Sequence, residues 1–321
     1  CIPLLALLMA MLFAIAPAWG QSSNGSVRGM VQDASSSIIP QASITLTNIA
    51  TGVQSKSVSN EAGLFVFPAV TPGKYKLTVE YEGMGKYESN FDVRVQESAN
   101  INVTLKPAAT QTEVTVVDAT PIVVTDSPTL GHTLERQRIE QLPINGRQLT
   151  NLLQTVAGVQ VDSNGSIRTN ATRPGTHDFT LDGAAQTDAL DGGGTFRRQP
   201  GLDTIQEFRV DTNAVSARNP RQTNIIMTTK SGTNDIHGSL FETNRDNSFG
   251  VARARENASN TAARLVRNEY GGTVGGPVVI PKLYNGRNKT FWFFSYEGQK
   301  ERQGTISGVA VPTEAMRNGD F

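Results

Sequence analysis

Cysteine is almost absent: Cys1 is the single one in 321 residues, and it precedes an apolar run. An acylated lipoprotein cysteine comes after such a run, so its position argues against lipidation. Beyond it, disulfides and thiolate metal sites are excluded. Histidine is scarce too. His132, His177 and His237 lie far apart with no partner at metal-ligand spacing, and are expected on surfaces or in turns. Charge of one sign does not accumulate: 29 basic residues balance 29 acidic ones, which leaves no electrostatic footprint for nucleic acid. The charged fraction of 18% is low for a soluble surface. No serine elbow, Walker motif or Cys–His arrangement appears, so nothing supports an enzyme, and no cofactor or metal site is expected. The glycines of 270–277 lack the Lys-Ser/Thr ending of a phosphate loop.

Long apolar runs are confined to Ile2–Ala18, too short and wrongly flanked for a spanning helix. With small residues at Ala18-Trp19-Gly20, residues 1–20 read as a signal peptide and its cleavage site. No Met or basic stretch precedes it, so the sequence is expected to begin late within that signal.

What is abundant is Thr, Ser, Asn, Gly and Val, a mixture that favours strands and turns. Between 24 and 106, seven short runs recur at regular spacing, starting near Val27, Ala42, Val53, Leu64, Tyr75, Phe91 and Ile101. Tyr75, Leu77, Val79 and Tyr81 alternate with polar residues, giving one buried and one wet face. Asn60-Glu61-Ala62-Gly63 and Thr71-Pro72-Gly73 supply the reversals. This pattern predicts a β-sandwich. Gly29-x-Val31-x-Asp33, Ala42-x-Ile44-x-Leu46-x-Asn48, Gly63-x-Phe65-x-Phe67 and Gly73-x-Tyr75-x-Leu77-x-Val79 resemble the carboxypeptidase regulatory-like domain, a transthyretin-like fold. Ser35–Ser37 stand where that pattern carries a Gly, which leaves the first turn open.

Residues 107–120 read as a linker holding one β-competent run, Glu113, Val114, Thr115, Val116 and Val117, with no obvious partner in its own domain. It is a strand free for augmentation, the last strand of the sandwich, or the first strand of the next domain. From 130, Leu134, Ile139 and Leu142, then Leu149, Leu152, Leu153 and Val156, predict two short helices flanking Ile144–Arg147. Asp182, Asp188 and Asp191 beside Gly192–Gly194 have a composition that could hold calcium but no spacing for a tight loop, and Asp-Gly turns account for them better.

Residues 226–245 close one β-run on Lys230-Ser231-Gly232-Thr233-Asn234 and open another at Ile236. Farther on, Trp292, Phe294 and Tyr296 alternate with Phe293, Ser295 and Glu297. That is a lipid-facing aromatic edge over a lumen face, or an amphipathic strand of a soluble sheet.

The junction at 226–245 resembles the passage from plug to barrel in a TonB-dependent outer-membrane receptor. The order Ile139-Glu140-x-Leu142-Pro143-x-Asn145-Gly146-Arg147, Leu181-Asp182-Gly183 and Leu202-Asp203-x-Ile205-Gln206-Glu207-Phe208-Arg209-Val210 is similar to that family's plug, most of all to its Oar-like subgroup. The resemblance implies a mainly β chain: an N-terminal transthyretin-like sandwich (24–106), a linker with a candidate TonB box (107–120), an α+β plug (121–233) and the first strands of a barrel (234–321). A complete barrel of this class needs about 22 strands of roughly ten residues, so 234–321 is expected to be its incomplete start. Glu113–Val117 would then be lent as a strand to a TonB-type energy transducer in the periplasm. Arg197 and Arg198, on an apical plug loop, would face ligand or pair with the barrel. Implied partners are outer-membrane lipid and an extracellular ligand (saccharide, peptide or iron chelate). The implied location is the outer membrane, with the sandwich periplasmic. The competing role is a surface structural or adhesion protein using the sandwich to bind carbohydrate. Arg221-Gln222-Thr223-Asn224 stands where plugs carry a Gly-Gly pair, so that bend is expected to be built differently or to be less mobile.

Overall fold

The computed structural model describes residues 23–108, 115–117, 130–142, 144–162, 166–187, 199–213, 221–247, 264–304 and 311–320. The signal-peptide run, Glu113, Val114, Asp188, Asp191, Arg197 and Arg198 lie outside the described residues. Mainly β structure is what the composition favours and what is found. The chain divides into two units, 1–237 with 274–294, and 238–273 with 295–321.

In the first unit the N-terminal strands are β1 (Gly25–Asp33), β2 (Ser43–Asn48), β3 (Gln54–Val58), β4 (Leu64–Val70), β5 (Gly73–Glu80), β6 (Tyr87–Val93), β7 (Ser98–Asn100) and β8 (Val103–Leu105). They form two sheets, β4-β1-β7 with β8 also on β1, and β3-β2-β5-β6 extended by β9 (Thr115–Val117). Alternation does what it predicts: Val27, Val31, Ile44, Leu46, Phe65, Tyr75, Leu77, Val79 and Phe91 point into one core. The seventh expected run contains β8, and a further short strand, β7, precedes it; both are parallel to β1. They break at Ile101, whose backbone N–H donates to the Arg28 carbonyl (2.8 Å). Any Cβ on Gly29 would collide with the Ile101 carbonyl, so Gly29 permits this close crossing. The first turn dispenses with glycine. The Asp33 carboxylate accepts from the backbone N–H groups of Ser35 (2.8 Å) and Ser37 (2.8 Å), and Ser36 adopts φ 65°. The Ser35 hydroxyl, then the Ser37 amide, hold the Asp33 carboxyl below its usual range.

The next segment contains β10 (Leu130–Glu135), α1 (Arg136–Gln141), 3-10 turns at Asn145–Arg147 and Leu149–Thr155, the hairpin β11 (Val159–Val161) and β12 (Ile167–Thr169), then β13 (His177–Leu181), β14 (Ala184–Ala185), β15 (Ile205–Asn213) and β16 (Thr223–Thr229). Five of these strands form a sheet in the order β10-β15-β16-β13-β14. Leu134, Ile139, Leu149, Leu152, Leu153, Ile205, Phe208, Ile225 and Met227 share a second core, with Leu142 packed against it. Ile226 is buried as well, on the other face of β16. The helical expectation at Leu134 was wrong. It lies on β10, antiparallel to β15 with Phe208 as its Cα partner, and the helix begins only at Arg136. His177 also departs from expectation: it is buried on β13, edge-on to Phe179 at 5.1 Å between ring centroids.

Beyond the junction come β17 (His237–Asp246), β18 (Leu265–Pro277), the small pair β19 (Val279–Ile280) and β20 (Tyr284–Asn285), and β21 (Phe291–Gln303), with a short helix α2 (Glu314–Arg317). The long strands form a sheet in the order β17-β18-β21. Within the second unit, Ser239 bonds Thr273 (2.9 Å), Asn244 donates to Asn268 (2.6 Å) and Arg267 pairs with Glu301 (2.6 Å), one ladder of polar side chains. Trp292, Phe294 and Tyr296 are exposed on one face of β21.

Candidate transducer strand, plug and junction

The segment expected to lack a partner has one. Thr115–Val117 run parallel to the outer edge of β6, with Tyr87, Glu88 and Ser89 as Cα partners of Thr115, Val116 and Val117. Of the three roles open to this run, the extra sandwich strand is the one adopted in this conformation. Three residues make a short ladder, and parallel pairing is slightly the weaker kind per residue. Beside it, Lys86 bridges Glu88 (3.1 Å) and Glu80 (3.3 Å), which raise its ammonium pKa.

In the plug sheet, the Asn-Gly-Arg motif makes a turn with two consecutive left-handed residues, Gly146 (φ 69°) and Arg147 (φ 47°). The Arg147 guanidinium meets Asp203 at 3.1 Å, tying this turn to the start of β15. The bend without Gly-Gly is built on Arg221, which donates to the carbonyls of Gly175 (2.8 Å) and His177 (3.0 Å) and pairs with Asp178 (3.3 Å). A fork of donors thus anchors the entry to β16. Asp182, a calcium candidate by composition, instead accepts from the backbone N–H (2.9 Å) and hydroxyl (2.9 Å) of Thr229, fastening the end of β16.

At the junction, Asn234 acts as a hub. Its backbone N–H donates to the Ala50 carbonyl (3.1 Å), and its side-chain amide donates to the Thr51 carbonyl (2.7 Å) and to Asn288 Oδ1 (2.6 Å). The Asn288 backbone N–H returns a bond to Asn234 Oδ1 (2.8 Å). A sandwich loop, the junction and the turn before β21 therefore meet at one residue.

A group that sequence reasoning missed is the buried polar face of β15. Phe208 and Val210 enter the core, so Glu207, Arg209 and Asp211 lie on the opposite face. Arg209 pairs with Asp211 at 2.7 Å. Burial pushes the Asp211 carboxyl up against the pull of Arg209. Burial pushes Glu207 up to about 7, opposed by the Val95 amide, which donates to its Oε2 at 2.9 Å. The alternation of charged and apolar residues reads in sequence as a strand with one wet face; its burial follows from the central place of β15 in the sheet and from the sandwich turn that meets it.

The described residues thus comprise a two-sheet sandwich, a sheet with short helices ending in an anchored junction, and long strands with an exposed aromatic row. Residues 26–106 match the carboxypeptidase regulatory-like domain family, and residues 228–321 match the outer membrane beta barrel domain family. The chain is a homologue of TonB-dependent transporters and belongs to the outer membrane. The chain is similar to the TonB-dependent transporter Oar of Myxococcus xanthus, 26% identical over 297 residues, 87% of this chain. The chain spans 27% of that relative's length. Among solved structures, the siderophore receptor PirA of Acinetobacter baumannii is similar over 54% of this chain and 24% of its own (17% identity, TM-score 0.38). A catechol 1,2-dioxygenase of Acinetobacter radioresistens is similar over 31% of this chain and 58% of its own (11% identity, TM-score 0.24).

Proposed function

We propose that the protein is an energised importer and not an enzyme: it binds an extracellular ligand, and a TonB-type transducer, pulling on a periplasmic strand, opens a path past the plug. Glu113–Val117 is that strand. The supporting observation is its placement. Its last three residues lie on an open sheet edge between the sandwich and the plug, held by a short backbone ladder that another strand can replace. The sandwich is periplasmic on this reading. Arg197 and Arg198 are the candidates for contact with the ligand, with pairing to the barrel as their other use, and saccharide or peptide is favoured over an iron chelate.

The test is Val116→Pro in the intact receptor. Proline removes a ladder donor, so uptake is expected to be abolished while ligand binding persists. Unchanged uptake rejects the assignment.

A further inference from the structure

The polar face of β15 is buried, and a group from the sandwich is what meets it. Glu207 and Asp211 are 6% and 3% exposed, in a strand whose other face already fills the plug core. Their cross-strand neighbours on β16, Thr228 and Asn224, are buried too. Val95, in the turn between β6 and β7, is fully buried. Its backbone N–H donates to Glu207 Oε2 at 2.9 Å, and its carbonyl accepts from Arg209 Nη1 at 3.4 Å. Two side chains spaced i, i+2 on one strand thus grip both polar groups of a single residue in another module.

We propose that Glu207 and Arg209 form a clamp that docks the sandwich onto the plug, and that acidification tightens this clamp while a rise toward neutral and alkaline pH loosens it. Among the described residues, the charged groups around Glu207 bear on the sign. Arg94 from the sandwich turn and Arg209 from β15 favour its ionised form, and Glu97 opposes it. On β10 the residue in register is Glu135. Loss of hydration outweighs the two arginines, so the docked carboxyl titrates near 7 against a reference of 4.5. When the sandwich swings away, the group regains water and its ordinary value. The docked state therefore holds the proton more tightly than the released state. Docking is strongest below pH 4.5, weakens between there and about 7, and is level above. A separation of that size changes the docking equilibrium by up to a few hundredfold. The acid form still accepts from the Val95 amide through its carbonyl oxygen, so protonation removes the desolvation cost without removing the bond. The junction contact at Asn234 carries no titrating side chain and supplies a docking point independent of pH.

Hydrogen exchange on the intact receptor tests this directly, read at the amides of residues 93–98 between pH 5 and 8 and divided by the intrinsic rates. Protection at these amides is expected to fall at least tenfold as pH rises, while core peptides of the sandwich and of 149–156 stay unchanged. Glu207→Gln keeps an acceptor and removes the charge, so its protection should stay high and flat across the range. Glu207→Ala should lose protection at every pH. If that variant unfolds the plug, as peptides 149–156 and 205–213 would reveal, the glutamine variant still decides. A wild-type profile that is flat or rises with pH, or a glutamine variant that tracks the wild type, overturns the clamp.

Discussion

The sandwich should stand or fall on a single hydroxyl. Ser59 comes directly after β3 and is 1% exposed. Its Oγ accepts from the Ala42 backbone N–H at 2.9 Å and donates to the Ile39 carbonyl at 2.8 Å, while its own N–H donates to the Ala42 carbonyl at 3.1 Å. One side chain thus satisfies two buried main-chain groups of the segment leading into β2. Ser59→Ala keeps the backbone bond and orphans both groups. A buried polar group left unmatched costs about 1–3 kcal/mol, so the sum is about 2–4 kcal/mol after partial relaxation. Domains this small hold little in reserve, within a general range of about 5–15 kcal/mol. For a domain of this size each kcal/mol lowers Tm by about 4–8 °C, so a drop of at least about 8 °C is expected. The assay is thermal and urea unfolding of the segment spanning 24–120, monitored by circular dichroism, with Val58→Ala as control. Val58 is 52% exposed, so its truncation should cost under about 0.5 kcal/mol. Equal, small losses for both variants would refute the hydrogen-bond accounting. A wild-type segment that melts without cooperativity would refute the autonomy of the sandwich itself.

The junction and the plug bend yield two further expected outcomes. Gly52 has φ 67° and a Cβ there would run into the Asn288 side chain. Gly52→Ala should destabilise the chain by about 1–2 kcal/mol from backbone strain alone. The steric share should disappear in an Asn288→Ala background, which a double-mutant cycle by urea unfolding measures. Arg221→Ala removes two carbonyl contacts and an ion pair from a half-buried site, and should lower plug stability by about 1–3 kcal/mol. Exchange at amides 175–178 should rise, and Arg221→Lys should restore the charge but not the fork, leaving most of the loss in place.

How much was legible depends on whether a residue's environment is set by its sequence neighbours. The sandwich strands were readable because each buries one face, so Tyr75, Leu77 and Val79 carry their fate in a period of two. β16 was harder, since Thr223–Thr228 are buried on both faces and show no alternation. Leu134 misleads because its spacing to Ile139 and Leu142 fits a helix, yet β15, far along the chain, recruits it into a sheet. His177 defies a surface placement for the same reason: β16 pairs with its strand, and the Phe179 ring packs T-shaped against its own. The candidate transducer strand is legible as β-competent but not as partnered, because the edge that accepts it belongs to another module.

Glu207 makes the general point most sharply. Within its own sheet, Glu-x-Arg-x-Asp alternating with Phe208 and Val210 is the ordinary signature of a strand with one wet face. Among the described residues it is the sandwich turn carrying Val95 that meets that face, and burial there pushes the Glu207 carboxyl up to about 7. A polar face that is cheap in water becomes costly on docking, and that difference is what allows docking to be undone. An apolar face in the same place would bind the sandwich without reference to pH. On the clamp reading, Glu207 and Arg209 on β15 suit a contact that a change of pH can loosen.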